Sequence, residues 1–185
     1  MTTYANFITE VFLDGDSQGY YAVPETFLDF DEHGDAHFDT VEVETTDADG
    51  EIETESTPPE TPDDFVYLDL DDEDAYRMLA LGLHLDDVEH ATDYHVYDAR
   101  VQDGRREYLV MTDTEADKAW EQSLENYLDE CVLAEMSEMA QNYFDRERWM
   151  EDAKMDGRGH SLASYDGNEN EVETGNGTYY IYRMN

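Results

Sequence analysis

The sequence predicts an α+β fold made of small antiparallel sheets, one long acidic helix and a shorter C-terminal helix. Three observations support this class. Short segments rich in aromatic and β-branched residues are separated by turn residues, which is typical of antiparallel strands. The pair Asp103-Gly104 stands between two alternating segments and indicates a hairpin. The stretch after Thr114 instead repeats apolar residues at three- and four-residue spacing, which indicates an amphipathic helix.

The first half of the chain is predicted to be mainly strand. Residues 4–13 (YANFITEVFL) and 20–23 (YYAV) are predicted strands joined by a turn-rich loop, and 36–45 gives a third. Residues 46–64 hold three of the four prolines, which favours a linker or loop. We therefore predict an N-terminal β-rich subdomain at 1–46, an acidic Pro-containing linker or loop at 47–64, and an α+β domain at 65–185.

The next segments alternate between strand and helix patterns. Residues 65–70 (FVYLDL) predict a short strand, after which Asp71 or Asp72 can cap a helix over 73–84. Gly82 is expected to weaken the end of that helix. Strands at 94–102 and 106–112 then flank the Asp-Gly turn.

A long helix is predicted over 115–141, opened by a capping box at Thr114–Asp117. Its apolar face drifts through Val132, Met136 and Met139, so the helix is either buried on two sides there or broken near Leu133. Asp145 can cap a further helix at 146–155. The tail predicts short strands at 160–165 and 178–183, separated by a Gly- and Asn-rich turn region.

The charge of the chain is the strongest functional signal. Its 185 residues include 49 acidic and 10 basic side chains, for a formal charge of −39. All ten basic residues follow position 76, although 24 of the acids precede it. The 14 Tyr, 7 Phe and 2 Trp supply a core and exclude a wholly disordered chain. Such a charge excludes direct binding to nucleic acid or to an anionic membrane, so the expected partner is basic.

Other features narrow the class of protein. No apolar run is long enough to span a membrane, and the N-terminal residues lack the pattern of a secretory signal. Cys131 is the single cysteine, which fits a cytoplasmic location. Neither a nucleophile elbow nor a phosphate-binding Gly-rich loop is present, so we expect no enzyme and no cofactor.

Two sets of carboxylates are candidates for a functional surface. Asp117, Glu121, Glu125 and Asp129 follow one another at i+4 spacing, with about 6 Å between steps, which resembles the spacing of phosphates along a DNA strand. Like charges at this spacing destabilise an isolated helix, and no basic residue at i+4 relieves the middle of the row. To this row we add Glu115 and a second cluster: Asp69, Asp71, Asp72, Glu73 and Asp74.

Metal binding is a weaker candidate. The segment from Asp14 satisfies part of a calcium-loop template, with Asp14, Asp16, Gln18 and Glu25 as candidate ligands. Pro24 and the strand-like sequence before the segment count against an EF-hand. Thr45–Ser56 fits the template less well. His33 and His37 are four residues apart, but Gly34 between them argues against a ligand-bearing helix, and the other histidines have no metal-site spacing. We therefore predict no metal site at the histidines.

Two resemblances bear on function. The tail DGRGHSLASYDG at 156–167, followed by YYIYR at 179–183, resembles a segment at the end of some uncharacterised bacteriophage proteins, over about 30 residues. In composition the chain resembles the antirestriction proteins of phages and plasmids, which are acidic DNA mimics and commonly dimers. The second resemblance implies a homodimer, for which the face at Val132, Met136 and Met139 is the candidate.

The sequence therefore favours a DNA mimic that occupies the basic DNA-binding groove of a host protein, with a restriction–modification or CRISPR nuclease as the expected target. Two alternatives stay open. The acidity can serve solubility in a salt-rich cytoplasm, in which case stability should rise strongly at molar salt. The chain can also be a calcium-binding module, which titration with and without a chelator would reveal.

Overall fold

The computed structural model describes residues 2–27, 30–38, 41–46, 52–57 and 61–185, with the backbone alone for 41–46 and 52–57. The chain divides into two compact units, Met1–Thr92 and Asp93–Asn185. Each unit has its own sheet and helices, so the α+β class is confirmed.

The first unit is built on a four-stranded sheet. The strand order is β3-β1-β2-β6; β1 and β3 are parallel and the other pairs are antiparallel. The β1–β2 connection is a two-residue turn in which Asp14 and Gly15 have positive φ angles of 50° and 84°. The predicted loop after Leu13 is therefore shorter than expected. The strands of this unit are β1 (Tyr4–Leu13), β2 (Asp16–Pro24), β3 (Ala36–Phe38), β4 (Val41–Thr46), β5 (Ile52–Thr57) and β6 (Val66–Asp69).

The predicted linker at 47–64 contains regular structure. Its residues Ile52–Thr57 form β5, which pairs antiparallel with β4 in a two-stranded ribbon. Residues 47–51 and 58–60 lie outside the described residues. The predicted boundary at 64 also differs from the division between the compact units at 92, because β6 pairs with β2 and belongs to the first sheet.

One helix, α1 (Asp72–Leu85), packs against strands β1, β2 and β6. Its N-cap is Asp71, one of the two predicted caps, and its C-cap is Asp86, whose backbone is left-handed. The helix continues past Gly82 to Leu85; a Cβ on Gly82 would lie 3.1 Å from the Cα of Val88, so glycine allows close packing there. A hydrophobic cluster of the unit contains Ala5, Val11, Val23, Ala36 and Phe65, bordered by partly buried Phe7, Phe27, Phe30 and Phe38.

The second unit has a five-stranded antiparallel sheet in the order β10-β11-β9-β8-β7. The predicted hairpin is confirmed, because β8 and β9 pair from Asp103 and Arg106 outward. The predicted strand at 94–102 is interrupted at Asp98, which has a φ of 59°. The strand β10 was missed by the sequence analysis. The strands are β7 (His95–Tyr97), β8 (Arg100–Asp103), β9 (Arg106–Thr112), β10 (Asn170–Thr174) and β11 (Gly177–Arg183).

The predicted helix at 115–141 is shorter and begins earlier. It runs as α2 (Asp113–Tyr127) and continues into a π-helical segment, Leu128–Leu133, where the helix ends. The break near Leu133 had been one of the two predicted alternatives. The capping box is formed by Thr112 and Glu115 rather than by Thr114 and Asp117.

The rest of the second unit contains three short helices: α3 (Glu138–Gln141), α4 (Arg146–Lys154) and α5 (Gly157–Leu162). Helix α4 is capped by Asp145, as predicted. The predicted strand at 160–165 was wrong. Leu162 and Ala163 instead pack into a core cluster with Met111 and Tyr182, and this burial fixes the segment as the end of a helix. Among the described helices, none is long and apolar enough to cross a membrane.

Candidate acidic surfaces and ligand sites

The first acidic cluster lies where β6 joins α1. Asp69 accepts hydrogen bonds from the backbone N–H groups of Leu70 (2.6 Å) and Asp71 (3.3 Å). Asp71 in turn accepts one from the N–H of Glu73 at 2.9 Å, which caps the helix. The acids of the first turn also face the positive end of the helix dipole. The cluster is therefore held on a helix terminus that offsets part of its mutual repulsion.

Arg77 is the one basic residue of this unit, and it is almost completely buried. Its side chain is 3% exposed and forms ion pairs with Glu73 and, at 4.0 Å, with Asp74. Burial raises the pKa of Asp74, and the neighbouring carboxylates Asp69 and Asp71 raise it further. The carboxylates of the cluster therefore repel one another, although Arg77 lies beneath them.

The predicted row on α2 is not an unopposed line of charge. Asp117 is paired with Arg158 at 3.1 Å, and Glu121 with Lys154 at 2.6 Å. The fourth member, Asp129, is paired with Arg146 at 2.8 Å. These three carboxylates stay between 57% and 60% exposed. The row can still face a partner, but the protein's own cations reduce its net charge.

Glu115 has a structural role at the start of α2. Its carboxylate accepts hydrogen bonds from the backbone N–H and the hydroxyl of Thr112, at 2.8 and 2.9 Å. The N–H of Glu115 donates back to the Thr112 hydroxyl at 3.4 Å. This reciprocal arrangement satisfies two groups at the helix terminus. Glu125, by contrast, is exposed on the same helix as the row.

Arg158 links the tail of the chain to α2. Its guanidinium pairs with Asp113 and Asp117 on α2 and with Glu169 on the tail, at 2.8–3.1 Å. It also lies 4.2 Å from the centre of the Tyr180 ring. Hydrogen bonds to Glu169 and Asp113 raise its pKa against the opposing effect of burial. Local sequence patterns do not reveal this centre, because its charged members lie up to 56 positions apart.

The candidate calcium ligands are not brought together. Asp14 is in the β1–β2 turn, Asp16 and Gln18 are on β2, and Glu25 follows the far end of that strand. Nine residues of extended strand span about 30 Å, so Glu25 cannot join Asp16 at one ion. The amide of Gln18 donates to the backbone carbonyl of Asp16 at 3.0 Å. The weaker segment 45–56 has no described side chains.

A different group in the first unit has the arrangement of metal ligands. Within the described residues, Asp31, Asp35 and His37 place one donor atom each within 4.8 Å of one another. Asp31 accepts hydrogen bonds from the N–H groups of Asp35 and His33, which lower its pKa to about 2. The sequence signal for this group is the alternation of acids and histidines in DEHGDAH at 31–37, which is not a helical ligand spacing.

Each unit has a cavity among its described residues. In the first unit, a cavity of about 460 Å³ adjoins the C-terminal end of α1 and is lined by Tyr4 and by three carboxylates, Asp86, Asp87 and Glu89. In the second, a groove of about 310 Å³ lies beside the stacked rings of Tyr127 and Trp149. Carboxylates at a helix C-terminus reinforce the negative end of its dipole, so the first cavity favours a cation.

The two units differ in charge. Residues 1–92 hold 27 acidic side chains and one basic residue, for a formal charge of −26, whereas 93–185 carry −13. Comparisons with family models, with curated proteins and with solved structures find no match for the chain. Function is therefore inferred from the charges and contacts of the chain itself.

Proposed function

We propose that the chain is a DNA mimic of the antirestriction type, which occupies the basic DNA-binding groove of a host protein. The target class we favour is a defence nuclease of a restriction–modification or CRISPR system. The observation that carries the proposal is the charge of the first unit. Its 27 acids are opposed by Arg77 alone, and that side chain is buried.

The magnitude of this charge suits competition with DNA. Duplex DNA carries one negative charge per about 1.7 Å of axis, so −26 equals the charge of about 13 base pairs. A groove lined with Lys and Arg would be attracted to this unit before contact, because long-range fields steer association. The acidic protein offers this attraction without a phosphodiester bond that a nuclease can cut.

Location of the charge matters as well as its amount. The cluster at Asp69–Asp74 is fixed by backbone hydrogen bonds and a helix terminus. A charge held in place loses little conformational entropy on binding. The row on α2 is also fixed, but three of its four carboxylates are shared with Arg146, Lys154 and Arg158. We therefore assign the main contact to the first unit and a lesser one to the row.

Competition for a basic nuclease tests the proposal. Increasing amounts of the protein should displace duplex DNA from restriction or CRISPR nucleases at low salt, and the displacement should weaken steeply as salt rises. The proposal would be contradicted if the protein displaced DNA from none of the basic nucleases tried, or if the displacement did not depend on salt.

Matched variants test the location. Asp69→Asn, Asp71→Asn and Asp72→Asn together remove three charges and keep side-chain oxygens that can accept the same hydrogen bonds. Asp117→Asn, Glu121→Gln and Asp129→Asn remove three charges from the row. Both triple variants have the same net charge, and we expect the first to weaken competition more. Equal losses would show that only total charge matters.

A further inference from the structure

The segment that precedes β3 brings nitrogen and oxygen donors to one point. The carboxylate oxygen Oδ2 of Asp31 lies 3.1 Å from Nε2 of His37 and 3.8 Å from Nδ1 of His33. Asp35 places a carboxylate oxygen within 4.8 Å of the Asp31 and His37 donors. Donors of two kinds therefore converge from alternate residues of one short segment.

The shortest of these spacings matches that of two atoms that share a metal ion. Zinc lies about 2.0–2.1 Å from imidazole nitrogen and carboxylate oxygen, so two ligands at a tetrahedral angle are about 3.3 Å apart. The separation of 3.1 Å between Asp31 and His37 is close to this value. An ion placed between the two atoms would replace a single hydrogen bond and would need only small movements of the donors.

The donors are also held in place by groups outside the segment. The imidazole of His37 stacks on Phe12, its partner in the β1–β3 pairing, with ring centres 4.7 Å apart and planes at 10°. The hydroxyl of Thr9, which is 1% exposed, donates to the carbonyl of Gly34 at 3.2 Å. An ion therefore meets ligands that are already ordered, which lowers the entropic cost of binding.

The donor set indicates the class of ion. Calcium and magnesium prefer sites made of oxygen alone, whereas imidazole with carboxylates suits zinc and similar first-row transition ions. Residues 31–37 contain three acids, two histidines and no Lys or Arg, and the surrounding unit carries −26. A field of this sign raises the local concentration of cations.

We propose that Asp31, Asp35 and His37 bind one divalent transition ion, with Zn²⁺ as its representative, and that His33 or water completes the shell. This site is independent of any contact with a DNA-binding protein. The ion would tie the segment at 31–35 to the start of β3. It would thereby fasten the edge of the first sheet, since β3 is the edge strand beside β1.

Zinc titration of the full chain tests the site. After dialysis against a chelator, Zn²⁺ is added in competition with a chromophoric zinc indicator, with millimolar Mg²⁺ present to occupy the other carboxylates. We expect one equivalent to bind, and His37→Gln to lower the affinity at least about tenfold. His90→Gln is the matched control, because His90 contacts Asp87 at 2.6 Å outside the proposed site.

Two results of this titration would overturn the proposed zinc site. Equal affinity of the wild type and His37→Gln, or loss of all zinc binding in Mg²⁺, would overturn the proposal. Circular dichroism shows whether each variant is folded. If His37→Gln does not fold, Asp35→Asn takes its place, since it removes a ligand and leaves the Phe12 stacking intact; unchanged zinc binding in that variant would overturn the site equally.

Discussion

Individual side chains of this protein have roles that their charge alone does not reveal. Arg158 is 13% exposed and joins three carboxylates from two distant parts of the chain. Arg148, by contrast, is 78% exposed and lies 4.0 Å from a single partner, Asp152. Removing one partner of a buried ion pair destabilises a protein far more than removing one partner of an exposed pair.

Replacing Arg158 should therefore unfold the second unit more easily. We expect Arg158→Ala to lower its free energy of unfolding by about 2–4 kcal/mol, because Glu169 loses its cationic partner in a partly buried site and keeps only the hydrogen bond from the Tyr182 hydroxyl. Urea unfolding followed by tryptophan fluorescence measures this, since both tryptophans, Trp120 and Trp149, belong to the second unit.

Arg148→Ala serves as the control for that measurement, with an expected change within about 0.5 kcal/mol. A loss as large as that of Arg158→Ala would mean that removing positive charge, rather than breaking the Arg158 contacts, destabilises the unit.

Substitutions at two aspartates of the first cluster, Asp71 and Asp74, should have opposite effects on the stability of the first unit. Asp71→Ala removes the N-cap of α1 and should cost about 1 kcal/mol. Asp74→Asn should stabilise the unit at neutral pH, because the raised pKa of Asp74 means that its charged form disfavours folding. Asp74 is 38% exposed, so the gain is a few tenths of a kcal/mol.

The raised pKa of Asp74 also predicts how the stability difference between Asp74→Asn and the wild type depends on pH. The wild-type Asp74 carboxyl is protonated as the pH falls through its folded-state pKa, and the advantage of Asp74→Asn should then disappear. Thermal unfolding followed by circular dichroism between neutral pH and pH 4 measures the difference. An advantage that grows as the pH falls would contradict the assigned repulsion.

At the scale of secondary structure, the tail helix α5 depends on close backbone approach. A Cβ on Gly159 would lie 2.6 Å from the carbonyl oxygen of Gly167, a backbone atom that cannot turn aside. We expect Gly159→Ala to destabilise the second unit by about 1–3 kcal/mol through this overlap. Tryptophan fluorescence during urea unfolding measures the effect.

His160→Ala, at the exposed next position, is the control and should change stability by less than about 0.5 kcal/mol. If both substitutions weaken the unit equally, the cause is the intrinsic behaviour of the helix and not the contact with Gly167.

Local signals in the sequence predicted the elements they act on. Asp71 and Asp145 were identified as caps because their side chains act within three residues, and the Asp103-Gly104 turn joins strands adjacent in the sequence. Helix α5 was missed because it depends on packing of Leu162 against the distant Tyr182. The strand β10 pairs with its sequence neighbour β11, but its sequence NEVET has a single apolar residue, Val172, and so gives little strand signal.

The candidate surface was predictable to a similar extent. The row was predicted from i+4 spacing, which is a local property; Asp117, Glu121 and Glu125 lie on α2, and Asp129 lies in the π-helical segment that follows. Its neutralisation was missed because Arg146, Lys154 and Arg158 lie 17 to 41 positions later in the chain. The group around Asp31 was missed for a different reason: its donors are brought together by a turn, closed by a hydrogen bond from the N–H of Asp31 to the carbonyl of Asp35, and helical spacing rules do not apply to a turn.

At the scale of the whole molecule, charge repulsion sets the response to salt. At −39 the folded chain repels itself, and monovalent salt should raise its stability. Most of the gain should arrive below about 0.2 M, because the Debye length is then about 8 Å or less. Thermal unfolding in a series of NaCl concentrations measures this. Folding that requires molar salt would support the alternative of salt adaptation.

The distribution of basic residues also determines where trypsin can cleave the folded chain. Trypsin cleaves after Lys and Arg, and within residues 1–92 its one potential target is Arg77, which is buried inside a helix. The nine remaining targets all follow residue 92, and several of them, Arg148 and Arg106 among them, are exposed. Brief digestion of the folded protein therefore trims the second unit and leaves the first as one intact fragment.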